Sequence, residues 1–223
     1  MNTESGASPC ARVRVKICGL TRPEDVAAAV RAGADAIGLV FYGSSKRAVP
    51  LAQARALRDA VPAFVDTVAL FVNAPAHEVD AVIERVRPDL LQFHGDESPE
   101  YCARFGRRYM RAFRVGAPGL DTPQRVLQAC RQHMAASAWL FDSYSPGYGG
   151  SGLALDTALL GDVLAAADRR PVVLAGGMKA ETVADAIRVL RPYAVDVSSG
   201  VETAPGIKSA DKIAAFMRAV SGA

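Results

Sequence analysis

Metal-ligand spacings are missing from this chain. Its three histidines, His77, His94 and His133, share no H-E-x-x-H or H-x-x-E-H pattern, and its four cysteines, Cys10, Cys18, Cys102 and Cys130, form no C-x-x-C pair. Neither a protein-bound metal nor a disulfide framework is expected, and cysteine used this sparingly suits a reducing, cytoplasmic setting. No apolar run approaches the ~20 residues that span a bilayer, so no membrane partner is expected. No G-x-G-x-x-G follows the first strand, which removes the usual signal for a dinucleotide, and no cofactor is expected. A formal net charge of +3 is too weak to argue for nucleic acid, though it suits an anionic small molecule. Residues 1–12 are polar and lack an apolar h-region, so they are expected to form a disordered extension rather than a signal peptide.

Hydrophobic content, by contrast, is high: 50% of 223 residues, enough for a sizeable core. Residues 13–20, V-R-V-K-I-C-G-L, alternate with the period of a strand. Val13, Val15 and Ile17 take one face, while Arg14, Lys16 and Cys18 take the other. Thr21-Arg22-Pro23-Glu24 then predicts a helix start, with Thr21 as N-cap and Glu24 reaching back. Apolar strand patterns at 36–41, 67–72, 90–94, 111–115, 138–142, 171–175 and 194–198 alternate with helical patterns at 23–32, 51–60, 75–86, 99–105, 122–130, 155–166, 181–190 and 209–220. Strands spaced by helices in this way pair in parallel. Eight near-equal units, at a length close to the ~250 residues typical of the fold, predict one (β/α)8 TIM barrel over residues 13–223 rather than an open doubly wound sheet.

In such a barrel the site forms at the C-terminal ends of the strands. Polar residues fall there with one parity: Lys16 and Cys18 on the first strand, Gln92 and His94 on the fourth, Asp142 on the sixth, Asp196 and Ser198 on the eighth. The first and sixth strands stand three steps apart around a closed ring, so Cys18 and Asp142 should face each other across the mouth. A thiol opposite a carboxyl can serve as a general base and a general acid. Glycine clusters follow the last three strands: Gly149, Gly150, Ser151 and Gly152 after the sixth, Gly176 and Gly177 after the seventh, Ser199 and Gly200 after the eighth. Their backbone N–H groups can cradle a phosphate. The second loop brings Arg47 over the mouth, where a guanidinium binds carboxylate. The ligand is therefore expected to be two-ended, with phosphate at one end and carboxylate at the other.

Plainer roles compete for each residue. A lone cysteine at a strand end is more often a small buried hydrophobe than a catalyst, and Cys10, Cys102 and Cys130 are assigned that role. Asp142 could cap the following loop. Asp196 either pairs with Lys16 inside the barrel or touches the ligand, and His94 either packs or touches it.

V-K-I-C-G-L-T at the first strand, F-Y-G-S-S-K-R in the second loop, L-Q-F-H-G-D-E at the fourth strand, L-F-D-S with P-G-Y-G-G-S-G at the sixth, L-A-G-G at the seventh and A-V-D-V-S-S-G-V-E at the eighth resemble the phosphoribosylanthranilate isomerase family. The resemblance runs in order from about Val13 to Val220. It implies an aldose–ketose isomerase of tryptophan biosynthesis that acts by Amadori rearrangement without a cofactor. It further implies Cys18 as general base, Asp142 as general acid, Arg47 on the anthranilate carboxylate and the last three glycine loops on the phosphate. Ser45-Lys46-Arg47 stands where the family often carries Ser-Pro-Arg, and Lys179-Ala180 where it often has Asn-Pro. A related histidine-pathway isomerase would place an aspartate at Cys18, and a non-catalytic sensor of phosphometabolites would need neither Cys18 nor Asp142. A small-molecule substrate and a monomer or homodimer are expected.

Overall fold

The computed structural model describes residues 12–145 and 155–223. Eight parallel strands close into a ring: β1 (Arg14–Cys18), β2 (Ala36–Val40), β3 (Asp66–Phe71), β4 (Leu90–Phe93), β5 (Tyr109–Val115), β6 (Ala138–Ser143), β7 (Val172–Leu174) and β8 (Ala194–Val197). Helices α1 (Pro23–Arg31), α2 (Leu51–Asp59), α3 (Ala76–Arg85), α4 (Pro99–Ala103), α5 (Pro123–Gln132), α6 (Gly161–Ala165), α7 (Val183–Leu190) and α8 (Ala210–Ser221) follow the strands in turn. The ring closes where β1 lies between β2 and β8, in the registers Cys18 to Gly38 and Lys16 to Asp196. The expected eightfold barrel is the fold of the chain. Among the described residues, no helix is long and apolar enough to cross a membrane.

Strand alternation sorts side chains into two compartments. Val15, Ile17, Leu39, Phe71, Phe93, Trp139 and Phe141 point outward and form the main core with the helices. Helix α8 shows how a helix reaches that core: Ile213, Phe216, Met217 and Val220 recur at helical spacing and are all buried. Each such side chain contributes roughly 1.5–3 kcal/mol when fully withdrawn from water. Inside the ring, Met110, Ala112, Leu140, Val173 and Ala194 make one small apolar cluster, while Cys18, Val40, Leu70 and Val72 make another.

Four local expectations change. Thr21 does not cap α1. Arg22 is the N-cap and is extended (φ −130°, ψ 143°), the conformation that a following proline imposes. The Thr21 hydroxyl instead donates to Gly206 O at 2.6 Å, and Arg22 holds the Asp25 carboxylate through Nε and Nη2 at 3.0 and 2.6 Å. The helix expected at 155–166 is a 3-10 turn, Thr157–Leu160, followed by the five residues of α6. The seventh helical pattern begins at Val183 rather than at 181. A hairpin that strand patterning does not predict, β9 (Glu202–Ala204) with β10 (Ile207–Lys208), stands between β8 and α8. Arg12 lies within the described residues and its guanidinium meets Asp35; the expected disorder of the preceding residues falls outside them.

Candidate active site

A cavity opens at the C-terminal end of the ring. Cys18, Arg47, His94, Asp142, Gly176, Gly177, Asp196 and Ser199 all line it. Gly200 does not. A Cβ placed on Gly200 would stand 2.0 Å from Met178 O, so glycine is needed there for the eighth loop to pack on the seventh. Gly149, Gly150, Ser151 and Gly152 lie outside the described residues.

Cys18 ends β1 on its inward face, beside Val40, Leu70 and Val72. Room for its sulfur comes from the adjacent strand β2: a Cβ on Gly38 would sit 2.7 Å from Cys18 Sγ and 3.2 Å from Lys16 Cε. Burial pushes the thiol above its ordinary pKa, against the downward pull of Lys16 and Lys208, while the Asp196 charge adds to the rise. Lys16, one inward position earlier, donates to Asp196 Oδ1 at 2.9 Å, both groups being buried. Burial disfavours the Lys16 ammonium, but the charges of Asp196 and Cys18 more than offset it and hold its pKa above the ordinary value.

Asp142 is the last inward residue of β6. Its Oδ1 accepts Ser143 N at 2.9 Å and its Oδ2 stands 3.3 Å from His94 Nε2, without the alignment of a hydrogen bond. His94 Nδ1 lies 3.1 Å from Gln92 Nε2. An amide donating there leaves the proton of a neutral ring on Nε2, facing Asp142. Gly176 (φ +72°) presses on the same carboxyl, for a Cβ there would be 2.9 Å from Asp142 Oδ1 and 2.6 Å from Ser143 N. His94 and Asp196 thus both border the cavity and both have partners within the protein.

The β4–α4 loop that carries His94 is pinned from below. Arg111 donates to Phe93 O, Gly95 O and Glu97, and Glu97 in turn accepts Asn73 N and Gly95 N.

Arg47 reaches the rim from the loop after β2, and its fork is engaged: Nε and Nη2 donate to the two Glu202 oxygens at 2.8 and 2.7 Å. Glu202 also accepts Lys208 Nζ at 2.8 Å. Glu202 closes the A-V-D-V-S-S-G-V-E motif but is given no role by the sequence reading, and Lys208 is not singled out there. The signal that could have found them is their opposite sign on either side of Pro205-Gly206, a turn that folds the two back on each other. Among the described residues, no group of three or more His, Cys, Asp or Glu is placed to hold a metal, and Cys18, Cys102 and Cys130 are free and buried.

A thiol, a carboxyl and a guanidinium around one cavity, with paired glycines beside the carboxyl, can accommodate proton transfers on an anionic ligand. Known proteins are similar to this chain over almost its whole length. The family model described as N-(5'phosphoribosyl)anthranilate (PRA) isomerase matches residues 15–219. An N-(5'-phosphoribosyl)anthranilate isomerase of Bordetella parapertussis is 63% identical over 209 residues, covering 94% of this chain and 96% of the relative. The crystal structure of the Thermotoga maritima phosphoribosyl anthranilate isomerase superposes with a TM-score of 0.85 at 38% identity, covering 95% of this chain and all (100%) of that one. A phosphoribosyl anthranilate isomerase solved with reduced 1-(o-carboxyphenylamino)-1-deoxyribulose 5-phosphate superposes at 0.81 with 35% identity, again over 95% and 100%. With the family model covering nearly every described element of the barrel, the chain belongs to the N-(5'-phosphoribosyl)anthranilate isomerase family.

Proposed function

We propose that this chain converts N-(5'-phosphoribosyl)anthranilate to 1-(2-carboxyphenylamino)-1-deoxyribulose 5-phosphate, the Amadori rearrangement of tryptophan biosynthesis. The observation that carries the assignment of roles is that Cys18 and Asp142, on strands three steps apart, border one cavity whose rim bears Arg47. Asp142 gives a proton to the ribose ring oxygen as the C1'–O bond breaks and the amine nitrogen forms a Schiff base. Cys18, as thiolate, takes the C2' proton, and the electrons left behind make an enolamine. C1' then gains a proton while the 2'-hydroxyl loses one, giving the ketose. The atoms balance without an external oxidant or reductant.

Lys16 stabilises the thiolate, since a fixed ammonium favours the charged form of a neighbouring acid. Asp196 holds Lys16, and His94 orients Asp142. The backbone around Gly176, Gly177 and Ser199 receives the phosphate together with Gly149, Gly150, Ser151 and Gly152, and Gly200 shapes that cradle by letting the two loops meet. Arg47 takes the anthranilate carboxylate. A relative from T. maritima is described as dimeric, and a monomer or homodimer is proposed here. The test is the loss of phosphoribosylanthranilate fluorescence when purified protein is added, with Cys18→Ala and Asp142→Asn as controls. A wild-type rate no faster than either control would reject the assignment.

A further inference from the structure

Arg47 would be a poor recognition group if its long side chain were free to sample rotamers, because ordering it would then oppose binding. It is not free. Its stem lies against the backbone at Gly19, where an added Cβ would meet Arg47 Cδ at 2.5 Å. Its fork is bidentate on Glu202, and the two side chains are only 13% and 6% exposed. Two of the five guanidinium N–H groups are used in this way, and among the described residues both on Nη1 remain for another acceptor.

Glu202 is fixed in its turn. It accepts Lys208 Nζ at 2.8 Å and Gly206 N at 3.2 Å. The Lys208 side chain is wholly buried and also donates to Ser198 O and Oγ at 3.1 and 3.2 Å. One carboxylate therefore serves two cations. An Arg–Glu pair alone would be neutral and would give an incoming anion little to approach. With the buried Lys208 behind it, the formal charges of the three side chains sum to one positive, although burial pulls the Lys208 pKa below its ordinary value. The hydrogen bonds of both cations hold the Glu202 carboxyl below its usual range despite burial, so the carboxylate persists at neutral pH.

We propose that Glu202, backed by Lys208, is the positioning residue that presents Arg47 to the carboxylate at the aromatic end of the ligand, and so governs discrimination for that carboxylate. The proposal rests on Arg47 being the carboxylate-binding group, and the experiment separates the two. The probes are reduced 1-(2-carboxyphenylamino)-1-deoxyribulose 5-phosphate and its counterpart without the carboxyl. Calorimetry gives the ratio of their affinities for wild type, Arg47→Ala, Glu202→Gln, Glu202→Asp and the double variant Glu202→Gln/Lys208→Met.

Arg47→Ala should bring the ratio close to one. The Glu202 variants should lower it roughly tenfold, the scale of one charge-assisted hydrogen bond lost. A merely structural staple would lower thermal stability in these variants while leaving the ratio at the wild-type value, and that result overturns the proposal. An unchanged ratio in Arg47→Ala would instead overturn the role of Arg47 itself. Should Glu202→Gln fail to fold because Lys208 is left unpaired, Glu202→Asp keeps the charge and the double variant removes both, and the ratio measured in either decides.

Discussion

Removing the C2' proton is the step for which water offers no substitute at neutral pH, so Cys18 and Asp142 should not be equivalent. Aryl ribosylamines open their rings slowly unaided, and loss of the acid is therefore partly covered. Each group alone is worth about 10²–10⁴-fold. Cys18→Ala should be the more damaging change, Asp142→Asn should keep a residual rate, and Cys18→Ser should not recover activity because a hydroxyl is far harder to ionise. Steady-state rates with circular dichroism as a fold check decide the ranking, which a Cys18→Ala protein faster than Asp142→Asn would reverse.

The raised thiol adds a pH signature. Because the active form is the deprotonated one, kcat/KM should climb with pH on a limb lying above the ordinary cysteine value of about 8.5. Lys16→Met should move that limb further up, by removing the charge that pulls it down, and an unmoved limb would sever Lys16 from the base. The neighbour on the adjacent strand matters as much. Gly38→Ala adds a methyl 2.7 Å from Cys18 Sγ, closer than carbon and sulfur can approach. It should cost activity through kcat by displacing the sulfur, whereas a variant with wild-type kcat would mean that β1 yields freely.

At the scale of elements, β1 was the most legible piece of the chain. Its alternation places Ile17 in the helix-facing core and Cys18 in the cavity, and both fall where period two puts them. The hairpin after β8 was not legible. Its strands have three and two residues, too short to show alternation, and its Glu202 and Lys208 are buried through an ion pair with each other and further bonds to Arg47 and Ser198. The N-cap of α1 departs from its sequence expectation for a related reason. Thr21 has the right side chain, but Pro23 dictates the backbone of the residue before it, and the hairpin captures the Thr21 hydroxyl. Pattern reading sees one segment at a time, and these groups are placed by a second segment far along the chain.

His133, at the C-terminal end of α5, carries the prediction that belongs to this scale. Its ring meets Phe113 edge-on at 5.9 Å, its carbonyl accepts Trp139 Nε1 at 3.2 Å, and its buried Nδ1 has no partner among the described residues. Burial, helped by the charge of Arg111, lowers its pKa to about 4 from 6.5. The neutral ring is thus favoured in the folded protein. Its contribution is complete above pH 6.5, where the unfolded chain is also neutral, and is lost as pH falls from there toward 4. Melting temperatures across that interval should decline less steeply for His133→Leu than for wild type, and parallel declines would remove His133 from the acid response.

For the whole molecule, the decisive contact is the one that closes the ring. Parallel strands without free edges need every pair to form, and β1 and β8, the two ends of the sequence order, must meet in register. Lys16 and Asp196 are register partners at that seam and form a buried ion pair. A one-residue slip would leave each charge facing the apolar outer core, so the pair specifies closure even if its net energy is small. Removing one partner strands the other charge in the barrel. Lys16→Met or Asp196→Leu alone should therefore cost about 3–5 kcal/mol, while the double variant Lys16→Met/Asp196→Leu should recover most of that loss by filling the same space with apolar groups. Urea unfolding with an unchanged m value measures all three. The double variant should nonetheless remain a poor catalyst, since the ammonium beside Cys18 is gone. Additive losses in the two single variants would show that the pair is not a unit at the seam, and a stable, fully active double variant would separate barrel closure from the chemistry that the same two residues are proposed to support.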